Sequence, residues 1–256
     1  MRFGLSGLRE VYRVVKHRPW PLPQRSWVMT QTWHDLLFAH WPVPVDLLRA
    51  LVPPELELDT YDGTGWLGVI AFRMTGIRLR GTPPVPLTSR LPEVNLRTYV
   101  RIGDKPGVLF LSLDTGNLPA ILIGRTWFRL PYYAARTRMG QNEQGVYFSS
   151  HRLPAPGVRP ADFAVSYHPC SDFLSPGPDS LEHWLTHRYC YYAVNSMGGV
   201  YRCDIHHLPW QLQHAGATIR SNTMAASQGL PQPTSGPHLL YSPYMRALIW
   251  SIRSCV

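Results

Sequence analysis

The stretch VNLRTYVRIGDKPGVLFLSLD, residues 94–114, carries two runs rich in β-formers around Gly103-Asp104-Lys105-Pro106-Gly107. Such runs on either side of turn residues predict an antiparallel hairpin. In the first run Asn95, Arg97, Tyr99 and Arg101 alternate with Val94, Leu96, Thr98 and Val100, so the polar set shares one strand face. Glu93 and Arg97 lie on that same face, about 13 Å apart at ~3.3 Å per residue, too far for an ion pair on a straight strand. A carboxylate entering a half-buried strand costs free energy unless it is paired, so Glu93 calls for a partner or a function.

The chain around this hairpin reads the same way. Twenty-five prolines and 20 glycines, with 16% charged residues, point to many short elements joined by turns. Residues 33–41 and 65–81 read as strands, with a short helix between them that the double proline Pro53-Pro54 stops. QGVYFSSHR (144–152) and DFAVSYHP (162–169) are strand-like, and SLEHWLTHRY (180–189) reads as a helix capped by Asp179 or Ser180. Strands are expected around Gly198-Gly199, and residues 214–240 read as loop-rich before YMRALIW (244–250) closes the domain.

The net charge of +9 is uneven: residues 1–25 hold six basic residues against Glu10, and the remaining arginines are scattered. Nucleic-acid binding needs a basic face, so it is not expected. The segment 1–25 reads as a flexible basic extension ended by a Pro-rich linker, with contact to a membrane surface as the alternative; residues 26–256 read as one domain. No apolar run is long enough to span a bilayer as a helix. Cys170, Cys190, Cys203 and Cys255 lack metal-site spacing and read as reduced, mostly buried thiols; with no leader evident, a cytoplasmic location is expected.

Several motifs are absent or incomplete. No G-x-S-x-G elbow or phosphate loop occurs, and GTGWLG (63–68) leads into a strand, where dinucleotide binding needs a helix. His183 and His187 stand at i, i+4 without the H-E-x-x-H order, so neither a metal nor another cofactor is expected. His206-His207 ends a strand, where neighbours point to opposite faces; only one can meet a cavity. GRTWFRLPYYAA (124–135), emerging from the apolar run AILI (120–123), packs four aromatic residues and two arginines like the wall of a pocket.

From about residue 27 to 252 the motifs WHDLLFAHWPVP, LVPPELELDTYDG, PEVNLRTYV, GVLFLSLD, GRTWFRLPYY, HRYCYY and HHLPW resemble the YqjF-like family, whose fold is similar to acetoacetate decarboxylase. The resemblance implies an α+β fold built on a strongly curved antiparallel sheet or cone-shaped barrel with a few peripheral helices. It places the decarboxylase's Schiff-base lysine and its neighbour at Tyr132 and Tyr133, its catalytic glutamate at Glu93, and its carboxylate-binding arginine near His34. Only Lys16 and Lys105 occur in the chain, neither where burial would free an amine, so amine catalysis is not expected.

The expectation is therefore a protein that binds a small organic ligand, a keto acid or other carboxylate, in a pocket inside the barrel and is lyase-like without an amine. The alternative is a non-catalytic sensor, carrier or scaffold. Glu93, Tyr132 and His206 are the catalytic candidates; His34, Asn95, Arg97, Tyr99, Arg125 and Trp210 are the ligand-binding ones, with Arg97 or Arg125 as the anion clamp. Strand edges make a homo-oligomer plausible.

Overall fold

The computed structural model describes residues 6–84 and 90–255. The first half holds helix α1 (Ser6–Arg13), strand β1 (Met29–Val43), helix α2 (Val45–Arg49) and strands β2 (Glu57–Leu58), β3 (Gly65–Leu79), β4 (Arg90–Ile102) and β5 (Lys105–Thr115). Helix α3 (Leu118–Trp127) leads into β6 (Tyr132–Asn142), β7 (Gly145–Arg152) and β8 (Asp162–Pro169). Helix α4 (Leu181–Thr186) precedes β9 (Cys190–Val194), β10 (Val200–His206), β11 (Gln213–Asn222), β12 (His238–Ile249) and β13 (Arg253–Ser254).

The hairpin of the opening stretch is β4–β5. Ile102 pairs with Lys105, so the loop is only Gly103 and Asp104, and Gly103 takes φ +56° to close it. The longer turn suggested by the Lys-Pro-Gly sequence is already strand.

Pairing carries β5 through β4, β3, β1, β12, β10 and β9 back to β5, which closes a curved ring. Most pairs are antiparallel, but β5 runs parallel to both β6 and β9. Strands β6, β7, β8 and β11 continue the same sheet outside the ring. Val94 and Leu96 of β4 join Phe148, Phe163 and Val165 in one apolar cluster between the ring and this outer flap. Strand β4 is therefore covered on both faces, and its alternate residues point into the ring.

A bulge in β1 sets which residues look inward. Asp35 adopts φ +52° where the β1–β3 register slips between His34 and Leu37. Its carboxylate is held by Arg73 at 3.2 Å and by the Tyr241 hydroxyl at 3.1 Å. One extra residue reverses the strand's alternation. Trp33, Leu36 and Phe38 consequently all face the interior.

Three expectations are corrected, and the stretch AILI-GRTW, assigned to no element from the sequence, is helical. Residues 213–222 are strand β11, paired with β8 and β12, although their small side chains give little apolar alternation. AILI and GRTW form helix α3: the Asn117 side chain accepts from Ala120 N at 2.9 Å and Pro119 sits in the first turn. The N-terminal segment is no loose extension from Val11 onward, since Val11, Arg18 and Trp20 are buried. Arg18 donates to the Ile205 carbonyl at 2.7 Å and His17 Nε2 to the His207 carbonyl at 2.8 Å. Of the four thiols, Cys190 and Cys203 are buried but Cys170 and Cys255 are exposed.

Candidate ligand site

The ring encloses a cavity of about 260 Å³. Its walls are mostly apolar, with Leu36, Phe38, Ile70, Phe72, Phe110 and Tyr191 among them, and α3 with the following loop covers one side. Strand β4 supplies the polar stripe: Glu93, Asn95 and Arg97 all reach the cavity, as strand periodicity demands.

Tyr132 opens β6 and donates its hydroxyl hydrogen to Glu93 Oε2 at 2.6 Å. Burial pushes the Glu93 carboxyl up to about 7; hydrogen bonds from Tyr132 and Asn95 oppose that rise, and the nearby Asp114 carboxylate adds to it. Burial, and next the Glu93 charge, holds the Tyr132 phenol well above its usual range, so it stays a donor. The ring of Tyr132 lies against Gly124 of α3, where a Cβ would come within 2.4 Å of Tyr132 Cε2. The glycine of GRTWFRLPYY is therefore what lets the phenol reach Glu93. Tyr133 points the other way and stacks on Arg152 at 4.1 Å, and Arg152 grips the fully buried Asp114 through two bonds of 2.8 and 2.7 Å.

The guanidinium of Arg97 lies 5.7 Å from the centres of both the Phe38 and Tyr99 rings. Among the described residues no carboxylate pairs with it, and its Nε is buried without a hydrogen-bond partner. Arg188 also lines the cavity, 4.8 Å from the centre of the Tyr99 ring; it donates to the Trp184 carbonyl at 2.7 Å and pairs with Asp59. Tyr99 itself is fully buried, its hydroxyl 2.6 Å from His40 Nε2.

Four expected site residues lie elsewhere: Tyr99 is packed in the core behind the cavity wall and does not line it. His34 falls outside the cavity because the bulge comes after it; its Nε2 meets Thr75 Oγ1 at 2.7 Å. Arg125 donates through Nε to the Tyr132 carbonyl at 2.8 Å, fastening α3 to β6 on the outside. His206 faces away, beneath the N-terminal segment, where Nε2 donates to the Val11 carbonyl at 2.6 Å. Ile205 faces the cavity, so alternation delivers His207 there instead. His207 is neutral, pushed down to about 3 chiefly by burial. Its Nδ1 donates to the Leu208 carbonyl at 2.7 Å, which leaves Nε2 as an acceptor.

Trp210 does line the cavity, its indole NH donating to the Thr186 carbonyl at 2.8 Å and its ring stacked 6.0 Å from Trp33. Sequence reasoning missed Trp33, Gly124 and Arg188, and named His206 as the catalytic candidate from a pair in which His207 is the one at the cavity. Gly124 and Arg188 sat in quoted stretches with no signal for a cavity role, and Arg188 lies past the end of α4 at Thr186; which way Trp33 and His207 point depended on the bulge and on the end of β10.

Among the described residues, no three His, Cys, Asp or Glu side chains converge as a metal site, and His183 and His187 stack ring on ring at 3.8 Å. Burial pushes the thiols of Cys190 and Cys203 up to about 12, which keeps them protonated. No helix of the described residues is long and apolar enough to cross a membrane.

The curved sheet ring is the fold of the acetoacetate decarboxylase-like proteins. Acetoacetate decarboxylase from Legionella pneumophila superimposes with a TM-score of 0.57 at 13% identity, over 93% of both chains. The enduracididine biosynthesis enzyme MppR gives 0.57 at 12% identity, over 92% of this chain and 89% of that one. An acetoacetate decarboxylase-like enzyme from Sphingomonas wittichii RW1 gives 0.57 at 14%, over 93% and 98%.

Within that fold the chain belongs to the DUF2071 family, described as an uncharacterized conserved protein, whose model matches residues 30–246. It is 43% identical over 232 residues to the uncharacterized protein YqjF of Bacillus subtilis, covering 91% of this chain and 94% of that one.

Proposed function

We propose that the chain binds a small organic acid inside the strand ring and exchanges a proton with it through Glu93, with no amine intermediate. The observation that carries this reading is the 2.6 Å bond from Tyr132 to Glu93 in a mostly apolar cavity. A carboxyl held at about 7 populates both its acid and its base form near neutral pH. Tyr132 fixes the carboxyl's orientation, and its hydroxyl is placed to donate to a ligand oxygen when Glu93 is protonated. Arg97, on the same strand face as Glu93 and with its Nε buried without a partner, is placed to grip a carboxylate deep in the cavity.

The lysines support the exclusion of amine chemistry. Lys16 is exposed, and Lys105 pairs with Asp104 at 3.0 Å at the hairpin tip; neither lines the cavity. The names of the structural neighbours, a decarboxylase among them, agree with an organic-acid ligand.

The test is mass spectrometry of small molecules released from natively purified protein, repeated for Glu93→Gln and Tyr132→Phe. A co-purified acid that is lost in Arg97→Gln supports the reading. Borohydride trapping with keto acids is expected to leave the protein unlabelled, and a labelled lysine would overturn the amine-free mechanism.

A further inference from the structure

We infer that the ligand is a monocarboxylate with a hydrocarbon body longer than that of a four-carbon keto acid, its carboxylate at Arg97 and its apolar end toward the cavity mouth. This rests on the organic-acid reading above and adds the class of molecule.

Strand register fixes the order of groups along the cavity. Leu79 pairs with Met29 at one end of β3, Phe72 pairs with Glu93 further in, and Gly68 pairs with Arg97 beyond that. The mouth is at the Leu79 end, where Leu79, Ile123 and Trp127 are 39%, 36% and 58% exposed yet line the cavity. Four residues separate Glu93 from Arg97, roughly 13 Å of strand. A molecule gripped by Arg97 therefore presents its body, and not its carboxylate, to Glu93 and Tyr132.

Size and polarity agree. At ~30 Å³ for each water-sized group, the cavity of about 260 Å³ holds about nine such groups. A three- or four-carbon keto acid has six or seven non-hydrogen atoms and would leave Leu36, Ile70, Phe72 and Phe110 facing water. A hydrocarbon chain covers those walls and is favoured by about three- to fourfold in affinity per buried methylene.

Charge agrees as well. The stretches that reach the mouth, residues 77–80 and 122–130, contain no acidic residue, and of their arginines Arg78 lines the cavity. Arg78 forms no ion pair among the described residues. A rim that is both apolar and cationic draws in an anion with an apolar tail.

The experiment is calorimetric titration of the full chain with pyruvate, acetoacetate, butanoate, hexanoate, octanoate, 3-phenylpropanoate and octanamide. Affinity is expected to rise about three- to fourfold per methylene from butanoate to octanoate, and octanamide to bind at least about tenfold more weakly than octanoate. Arg97→Gln is expected to erase the difference between acid and amide. Pyruvate or acetoacetate binding as tightly as octanoate would overturn the inference, and so would octanamide matching octanoate on the unaltered protein, whether or not the Arg97 variant folds. An ordinary, unshifted Glu93 would sink the proton-transfer reading and leave these affinities standing.

Discussion

Tyr132 and Glu93 meet through a 2.6 Å hydrogen bond across the ring, joining the first residue of β6 to the polar stripe of β4. Burial sets the energetics of that pair. The Glu93 carboxyl titrates at about 7 in the folded chain against 4.5 when unfolded. The folded state therefore holds an extra proton between those values. Its contribution is fully present below pH 4.5 and is lost as pH rises through 7, at a cost of up to about 3 kcal/mol. Glu93→Gln cannot ionise and still offers Tyr132 an acceptor. The variant is expected to gain stability relative to the unaltered chain between pH 5 and pH 8. Denaturant titrations at both pH values check this, and an equal difference at the two would contradict it.

Gly124→Ala puts a Cβ into the face of the Tyr132 ring. The expected outcome is a loss of about 1–3 kcal/mol together with displacement of the phenol from Glu93. A crystal structure of the variant would show a Tyr132 to Glu93 separation beyond hydrogen-bonding range.

The Asp114–Arg152 pair is closed off from solvent, with side-chain exposures of 0% and 2%. Asp114→Asn leaves Arg152 as an unbalanced buried charge and is expected to cost about 3–5 kcal/mol in urea unfolding. Tyr133→Phe keeps the ring stacked on Arg152 and is expected to stay within about 0.5 kcal/mol of the unaltered chain. The contrast separates the two adjacent tyrosines: one serves the cavity and the other the buried ion pair.

The N-terminal segment backs the wall of the site through Arg18, which reaches the Ile205 carbonyl, and His17, which reaches that of His207. Deleting residues 1–20 removes both bonds and uncovers His206 and Trp250. The deletion is expected to lower the melting temperature and to weaken ligand binding, both measurable by a thermal-shift titration. A melting curve identical to that of the full chain would mean the segment does not hold the wall in solution.

Much of this was legible in the sequence because strand alternation is local. Glu93, Asn95 and Arg97 could be put on one face from spacing alone, and the tyrosine in place of lysine could be read from a motif. The errors came where a single residue reverses the alternation. Asp35 in the left-handed region turns His34 away from the cavity, and which of His206 and His207 points inward depends on how β10 pairs with β12. Helix α3 was hidden because its apolar residues serve two surfaces, the cavity and the exposed face of Leu118 and Leu122, so no clean helical stripe appears. The packing of the N-terminal segment rests on bonds to residues nearly 190 positions away, beyond any local pattern.

If Glu93 exchanges a proton with a ligand inside the cavity, its carboxyl must titrate near neutral pH and respond to what binds there. A site-resolved titration of its carboxyl by isotope-edited infrared or carbon NMR, with and without bound octanoate, tests it most directly. The expected midpoint is near 7, moved upward in Tyr132→Phe because the hydrogen bond that lowers it is gone, and perturbed when the ligand binds. A midpoint near 4.5, unmoved by Tyr132→Phe and by the ligand, would contradict it.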